Sequence, residues 1–215
     1  MSSSPEYELL FEGSKLNAGD DVLDGLWKQV SPNLVIDLAR ITYLAPLLHK
    51  TISRLGKSAR FQSGFTKSLQ NSYHQVLARN IALQQVFIEF GKLLNSHNIE
   101  MVPLKGIYLS ESVYGDIGLR HCSDIDVLVK ESDLERICDL MNDRNWEVKS
   151  MVKRSNLEEE KFRHAHPFTL VKNEIHIELH THLHNKSQGV KITRDQLWGH
   201  THEEVFLGIK TCQFS

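Results

Sequence analysis

Two aspartates, Asp124 and Asp126, stand in a short segment that is otherwise apolar, Ser123-Asp-Ile-Asp-Val-Leu-Val. The apolar residues predict a buried strand over 123–129, in which side chains two positions apart lie on the same face. Their Cα atoms would be roughly 6 to 7 Å apart, so both carboxylates would meet at one point. Because carboxylates are costly to bury without a partner, we expect a hard divalent cation such as Mg²⁺ there. The alternative is a strand end where both carboxylates reach water or cap the next helix.

A second segment alternates apolar residues with carboxylates and imidazoles. Its apolar members are Ile175, Ile177 and Leu179, and its polar members are Glu174, His176, Glu178 and His180. The period of two predicts a strand over 174–183 with one buried and one polar face. A third carboxylate would then lie beside the aspartate pair, with Glu178 as the first candidate and Glu174 as the alternative. Three carboxylates on neighbouring strands can hold two metal ions about 3.5 to 4 Å apart, an arrangement used for in-line phosphoryl or nucleotidyl transfer.

The histidines of the same region also allow a zinc site. Six of the 12 histidines lie between His164 and His184, and imidazoles at alternate strand positions suit Zn²⁺. A zinc-binding protein would use the His-rich strand 176–184, with His176, His180, His182 and His184 as ligands. No Pro-Cys-x-x-Cys segment follows His176 and no HExxH segment occurs, which excludes the zinc deaminase and HExxH metalloprotease patterns.

Two further segments could bind phosphate groups. Lys105 and Gly106 lie at a predicted junction between a strand and a helix. The glycine would let backbone N–H groups approach a phosphate, and the lysine would supply a positive charge. Arg120, four residues before Asp124, could clamp a triphosphate or be an ordinary surface arginine. The P-loop and GxGxxG patterns are absent, which excludes those two nucleotide sites.

The elements that must position these residues change character along the chain. Residues 1–20 are polar and predict a loose leader, and residues 21–98 predict a helical region. Apolar spacing there predicts two helices between Asp20 and Arg54, the second starting at Ser31-Pro32, and a long helix over 66–96. Residues 99–215 predict a core of strands and helices. Its strands are expected near 99–103, 123–129, 145–152, 163–171 and 174–183, and its helices near 106–114 and 131–144.

Composition and charge limit the class of protein. With 40% hydrophobic and 24% charged residues and a net charge of −2, the chain has the profile of a soluble globular domain. No apolar run reaches the roughly 18 residues of a membrane span, and the first residues lack a signal-peptide pattern. Three widely spaced cysteines form neither a disulfide framework nor a paired-cysteine zinc site, which predicts a cytoplasmic location.

One stretch of the chain is basic. Between Asp37 and Glu89 there is no acidic residue, and the positive residues are Arg40, Lys50, Arg54, Lys57, Arg60, Lys67 and Arg79. A polyanion could bind such a surface. A solvated helical face is the more ordinary explanation, because aromatic residues are not interleaved with the charges.

The motifs, taken in order, resemble a known family. They are Leu104-Lys-Gly, Tyr114-Gly-Asp, Gly118-Leu-Arg120, Asp124-Ile-Asp-Val-Leu-Val and Ile177-Glu-Leu-His180. Over about residues 35–207, this order resembles the uncharacterised nucleotidyltransferase family of the DNA polymerase beta superfamily. The resemblance implies an α+β fold, in which a helical N-terminal region is followed by a small mixed β-sheet flanked by helices.

The same resemblance implies an activity and roles for the residues. A nucleoside monophosphate group would pass from a nucleoside triphosphate, with ATP as the default, to an unknown acceptor, and pyrophosphate would leave. Asp124, Asp126 and Glu178 would be the catalytic and metal-binding residues, holding two Mg²⁺ or Mn²⁺ ions. The nucleotide and its phosphates would be bound by Lys105, Gly106, Arg120, Ser123 and His180. Glu178 would help to deprotonate the acceptor, and the basic stretch leaves an anionic acceptor open.

The chain also departs from the family pattern. Lys105-Gly106 stands where the wider superfamily usually has Gly-Ser, and Glu178 stands where the family has aspartate. The helical C-terminal portion typical of the family does not follow Leu207, so we expect a truncated member. A noncatalytic nucleotide-binding or interaction module is therefore an alternative function, beside the zinc-binding protein.

Overall fold

The computed structural model describes residues 4–15, 19–56, 61–149, 168–183 and 193–215. The chain divides into two compact units, Met1–Ile81 with Ser110–Cys122, and Ala82–Leu109 with Ser123–Ser215. This division falls inside the long helix Ser63–Ser96, whereas the boundary predicted from the sequence lies at residue 98. Among the described residues, no helix is both long and apolar enough to cross a membrane.

The first unit is helical in its described part. Its helices are α1 (Pro5–Gly13), α2 (Asp20–Trp27), α3 (Pro32–Ile41), α4 (Ala45–Arg54) and the first part of α5 (Ser63–Ser96). Leucines of several helices, among them Leu10, Leu38, Leu48 and Leu69, belong to one buried apolar cluster. The loose leader expected over residues 1–20 is therefore wrong for Pro5–Gly13, because Leu9 and Leu10 are buried there.

The region between Asp20 and Arg54 contains three helices and not the predicted two. The predicted helix start at Pro32 is confirmed, with Ser31 as its N-cap residue. The backbone of Tyr43 then adopts a φ of 58°, a left-handed conformation that interrupts the helix. The chain resumes as α4 with a proline in its first turn, where a missing N–H is tolerated.

The second unit is built on a mixed sheet. Its strands are β1 (Met101–Leu104), β2 (Ile125–Val129), β3 (Glu147–Lys149), β4 (Phe168–Lys172) and β5 (Ile175–His180), in the spatial order β1-β2-β5-β4-β3. Strand β2 runs parallel to β5, and the other pairs are antiparallel. The helices that accompany the strands are α6 (Gly106–Ser112), of which residues 106–109 belong to this unit, and α7 (Leu134–Asn142), the second preceded by a 3-10 turn at Glu131–Asp133. The predicted α+β class and the mixed sheet are confirmed.

The last part of α5 supports this sheet from within the same unit. The Phe87 and Phe90 side chains are fully buried, and their rings contact those of Phe206 and Trp146, at centroid distances of 5.5 and 6.1 Å. Gly91 lies so close to the second unit's core that an added Cβ would be 2.5 Å from Ile209 Cγ2. These contacts explain why the end of α5 belongs to the unit that contains the sheet.

A helix and a hairpin that the sequence analysis did not predict complete the second unit. They are α8 (Arg194–Gly199), β6 (Thr201–Phe206) and β7 (Ile209–Phe214). Cys212 of β7 joins Val102 and Leu128 in a buried apolar cluster, against which Trp198 of α8 packs. The predicted strands over 145–152 and 163–171 are present where the structure describes them, and residues 150–167 lie outside the described part.

Candidate active site

Asp126 lies in the middle of three adjacent strands. Every residue of β2 is buried, and the exposed fraction of Asp126 is only 6%. The antiparallel pairing with β1 places Leu104 opposite Asp126, and the parallel pairing with β5 places Glu178 opposite it on the other side. The register of β2 and β5 therefore puts the two carboxylate residues side by side, as the alternation along β5 predicted.

Two nitrogen atoms contact the same oxygen of this buried carboxylate. His180 Nε2 lies 2.8 Å, and Lys105 Nζ 3.0 Å, from Asp126 Oδ1. Burial raises the pKa of Asp126, but the hydrogen bonds from His180 and Lys105 and their charges outweigh it, so the pKa is held below its ordinary value. The carboxylate is therefore ionised and acts as an acceptor towards both neighbours.

Three side chains at this point form a group that could bind a metal ion. One ligand atom from each of Asp126, Glu178 and His180 lies within 4.8 Å of the other two. His180 Nε2 is 3.7 Å from Glu178 Oε2, and Glu178 is half-buried. A carboxylate held inside a sheet, with a second carboxylate and an imidazole beside it, is the kind of arrangement that a cation stabilises.

Asp124 lies immediately before β2. The strand begins at Ile125, two residues later than predicted, and Asp124 is half-buried in the bend that leads into it. The predicted alternation along one strand therefore does not apply to Asp124, because this residue is not part of the ladder. Among the described residues, the group of three potential ligands does not include Asp124. Its part in holding a metal ion stays a prediction.

Lys105 and Gly106 form the turn between β1 and α6. Their φ angles are 39° and 32°, a left-handed region that costs about 1 to 3 kcal/mol for a residue with a side chain. The side chain of Lys105 is 63% exposed, although its ammonium group contacts Asp126. An exposed cation next to a buried carboxylate is suited to binding a phosphate group that approaches from solvent.

Arg120 lies in the first unit, in the segment Ser110–Cys122, which Asn80 of α5 holds by hydrogen bonds. The fully buried Asn80 donates hydrogen bonds to the carbonyl oxygens of Ile117, at 2.5 Å, and Arg120, at 2.7 Å. Within the described ranges, Arg120 Nε is buried and has no hydrogen-bond partner. Asn80 is not among the residues predicted for the site, and the sequence signals it only as a polar residue within the apolar periodicity of α5. The phosphate-binding role of Arg120, like that of Ser123, stays a prediction.

The alternative ligands from the sequence analysis are placed differently. Glu174 and His176 line an open cleft of about 660 Å³ on the second unit and are not part of the group at Asp126. His184 lies outside the described residues. Of the basic stretch, Lys57 and Arg60 also lie outside them, and Lys50 pairs with Asp116 at 3.7 Å.

The sequence matches a protein family described as uncharacterised nucleotidyltransferase over residues 28–209. The matched range covers most of the chain and includes every candidate site residue named above. Neither the curated proteins nor the solved structures contain a significant match. The family match is therefore the finding on which a functional proposal can be based.

Proposed function

We propose that this chain, which belongs to the uncharacterised nucleotidyltransferase family, transfers a nucleoside monophosphate group from a nucleoside triphosphate to an acceptor in a metal-dependent reaction. The family membership confirms the resemblance inferred from the motifs. The observation that carries the proposal is the convergence of Lys105, Glu178 and His180 on the buried carboxylate of Asp126. ATP remains the default nucleotide.

The residues at this point fit a divalent cation. Two carboxylates and one imidazole supply ligand atoms within 4.8 Å of one another, and hard cations prefer carboxylate oxygens. Asp126 and Glu178 would hold the ion, with Asp124 as the further ligand inferred from the sequence. Bound Mg²⁺ or Mn²⁺ would supply positive charge to the triphosphate and stabilise the charge that develops during displacement.

The chain's own residues would position the two reactants. Lys105 would bind a phosphate oxygen of the triphosphate through its exposed ammonium group. The more exposed carboxylate of Glu178, at 35%, would face the acceptor and take the proton of its hydroxyl group. The acceptor oxygen would form a bond to the α-phosphorus, the bond to the bridging oxygen would break, and pyrophosphate would leave with that electron pair.

The first experiment is a calorimetric titration of the four nucleoside triphosphates with Mg²⁺ and again with EDTA. We expect one or more nucleotides to bind only with the metal, and we expect Asp126→Asn to abolish this binding. Asp139→Asn, at an exposed aspartate of α7 in the same unit, is the matched control and should bind as the unmodified chain does. A folded chain that binds no nucleotide under either condition contradicts the proposal.

The second experiment measures turnover. Pyrophosphate release would be followed with the nucleotide that binds, in the presence of candidate acceptors that carry hydroxyl or phosphate groups. Tight nucleotide binding without release for any acceptor would favour the noncatalytic binding module over the enzyme.

A further inference from the structure

We propose that the imidazole of His180 is a direct metal ligand, so that the site prefers Mn²⁺ to Mg²⁺. This inference rests on the proposed function, since it concerns the same cation site, and it adds the identity of one ligand and the preferred class of ion. The resemblance implied a different role for His180, in binding the nucleotide. The structure supplies the reason for the change, because His180 Nε2 lies 2.8 Å from Asp126 Oδ1 and 3.7 Å from Glu178 Oε2. To bind an ion, Nε2 must give up the proton that it donates to Asp126, and the neutral ring then carries its proton on Nδ1.

The spacing of the three side chains matches ligands that share one ion. With metal–ligand bonds of about 2.1 Å, two ligands of the same ion lie about 3 to 4 Å apart. His180 Nε2 is 2.8 Å from Asp126 Oδ1 and 3.7 Å from Glu178 Oε2. An ion with ordinary bond lengths could therefore contact all three side chains after only small movements.

The sheet explains why the imidazole is at this place. Alternation along β5 puts Glu178 and His180 on the same side of the strand, with the buried Leu179 between them on the opposite side. The parallel register places Glu178 beside Asp126 and His180 beside Leu128. His180 is thus held by the backbone ladder, and its position does not depend on a flexible loop.

The chemistry of the ligand set decides the preferred ion. Mg²⁺ binds oxygen ligands almost exclusively and keeps several waters, whereas an imidazole nitrogen is a good ligand for softer divalent ions. Carboxylate oxygens also suit Mn²⁺, so a set of two carboxylates and one imidazole favours Mn²⁺ over Mg²⁺. Neutralisation of Asp126 does not by itself require His180, because Lys105 already contacts the same oxygen.

The test is pulsed electron paramagnetic resonance on the full chain with Mn²⁺ alone. A directly bonded imidazole produces a nitrogen coupling in the echo modulation, and we expect this coupling in the unmodified chain. Growth with ¹⁵N-labelled histidine should convert the signal to that of ¹⁵N without any substitution. His180→Gln should abolish the coupling and lower the ratio of Mn²⁺ to Mg²⁺ affinity by about tenfold or more.

The matched control is His176→Gln. His176 lies four residues before His180 on the same side of β5, is exposed, and is not in the group of three ligands. This variant should retain the coupling and the Mn²⁺ affinity of the unmodified chain. Circular dichroism on both variants separates loss of a ligand from loss of the fold, and the ¹⁵N experiment needs no variant.

The outcomes separate this inference from the proposed function. Bound Mn²⁺ without nitrogen coupling, or no Mn²⁺ bound at all, overturns the inference. In either case, metal-dependent nucleotide binding that is lost in Asp126→Asn still supports the proposed function. A nitrogen coupling that disappears in His180→Gln supports the inference even if no nucleotide binds and the proposed function fails.

Discussion

Replacement of Lys105 by methionine should change metal binding and nucleotide binding in opposite directions. In the structure, Lys105 Nζ occupies a position 3.0 Å from Asp126 Oδ1, where it competes with a metal ion for the same oxygen. Lys105→Met removes this competitor and keeps a side chain of similar length. Because the backbone of Lys105 has a φ of 39°, a glycine there would also change the backbone strain, and methionine does not. It also removes the cation that we propose to bind the triphosphate.

The magnitudes follow from the exposure of the two partners. Exposed ion pairs contribute about 0.2 to 1 kcal/mol, and this pair joins an exposed lysine to a buried carboxylate. A value near the upper end, about 1 kcal/mol, corresponds to about fivefold tighter Mn²⁺ binding without nucleotide. Loss of a charged hydrogen bond to phosphate, worth about 1.5 to 3 kcal/mol, should weaken nucleotide binding by about tenfold or more.

Calorimetry with Mn²⁺ alone, and then with nucleotide at saturating Mn²⁺, measures both effects. Lys210→Met is the matched control, because Lys210 is equally exposed, at 63%, and pairs with Glu203 in the β6–β7 hairpin. It should leave both affinities unchanged. If Lys105→Met weakens Mn²⁺ binding as well as nucleotide binding, the idea that the lysine competes with the ion is wrong.

Three further predictions concern hydrogen bonding, packing and burial in the two units. Asn80→Ala should lower the free energy of unfolding by about 2 to 4 kcal/mol in urea, because two carbonyl groups lose their donor; an unchanged midpoint would contradict the anchoring role. Gly91→Ala should cost about 1 to 3 kcal/mol in the same assay, because its Cβ would overlap Ile209, and Gly64→Ala, with open space around its Cβ, is the control. Burial raises the pKa of Cys212, so its alkylation by iodoacetamide at pH 8 should be slower than that of a free thiol such as glutathione and should rise at a higher pH; equal rates would contradict this.

Local signals in the sequence accounted for much of the fold. The apolar period of α5, the Ser31-Pro32 helix start and the alternation along β5 each depend on neighbours a few residues away, and each element is present in the structure. The β6–β7 hairpin was missed because its turn residues, Leu207 and Gly208, have φ values of 51° and 74°. Such turns are usually signalled by Asn-Gly or Asp-Gly, and leucine gives no such signal.

Other local signals lay in the sequence but were not decisive. Thr193 and Gln196 form a capping box at the start of α8, a pattern that indicates a helix N-terminus. The six-residue helix that follows is too short to show a clear apolar period. Near the start of the chain, α1 was not predicted because polar residues surround its short apolar segment, in which Leu9 and Leu10 are buried.

The sequence by itself determined the residue types of the candidate site and the strands that carry Asp126 and Glu178. The order of apolar and polar residues along the chain indicates which segments are buried and which alternate between two faces. Only the tertiary structure decided that His180, 54 residues after Asp126, contacts this carboxylate, and that Lys105 reaches the same oxygen. Asp124 illustrates the same limit, because the sequence placed it inside a strand that in the structure starts at the next residue, Ile125. Pairing and register join residues that are distant along the chain, and a shift of one residue in the pairing of β2 with β5 would separate the side chains of Asp126 and Glu178 onto opposite faces of the sheet.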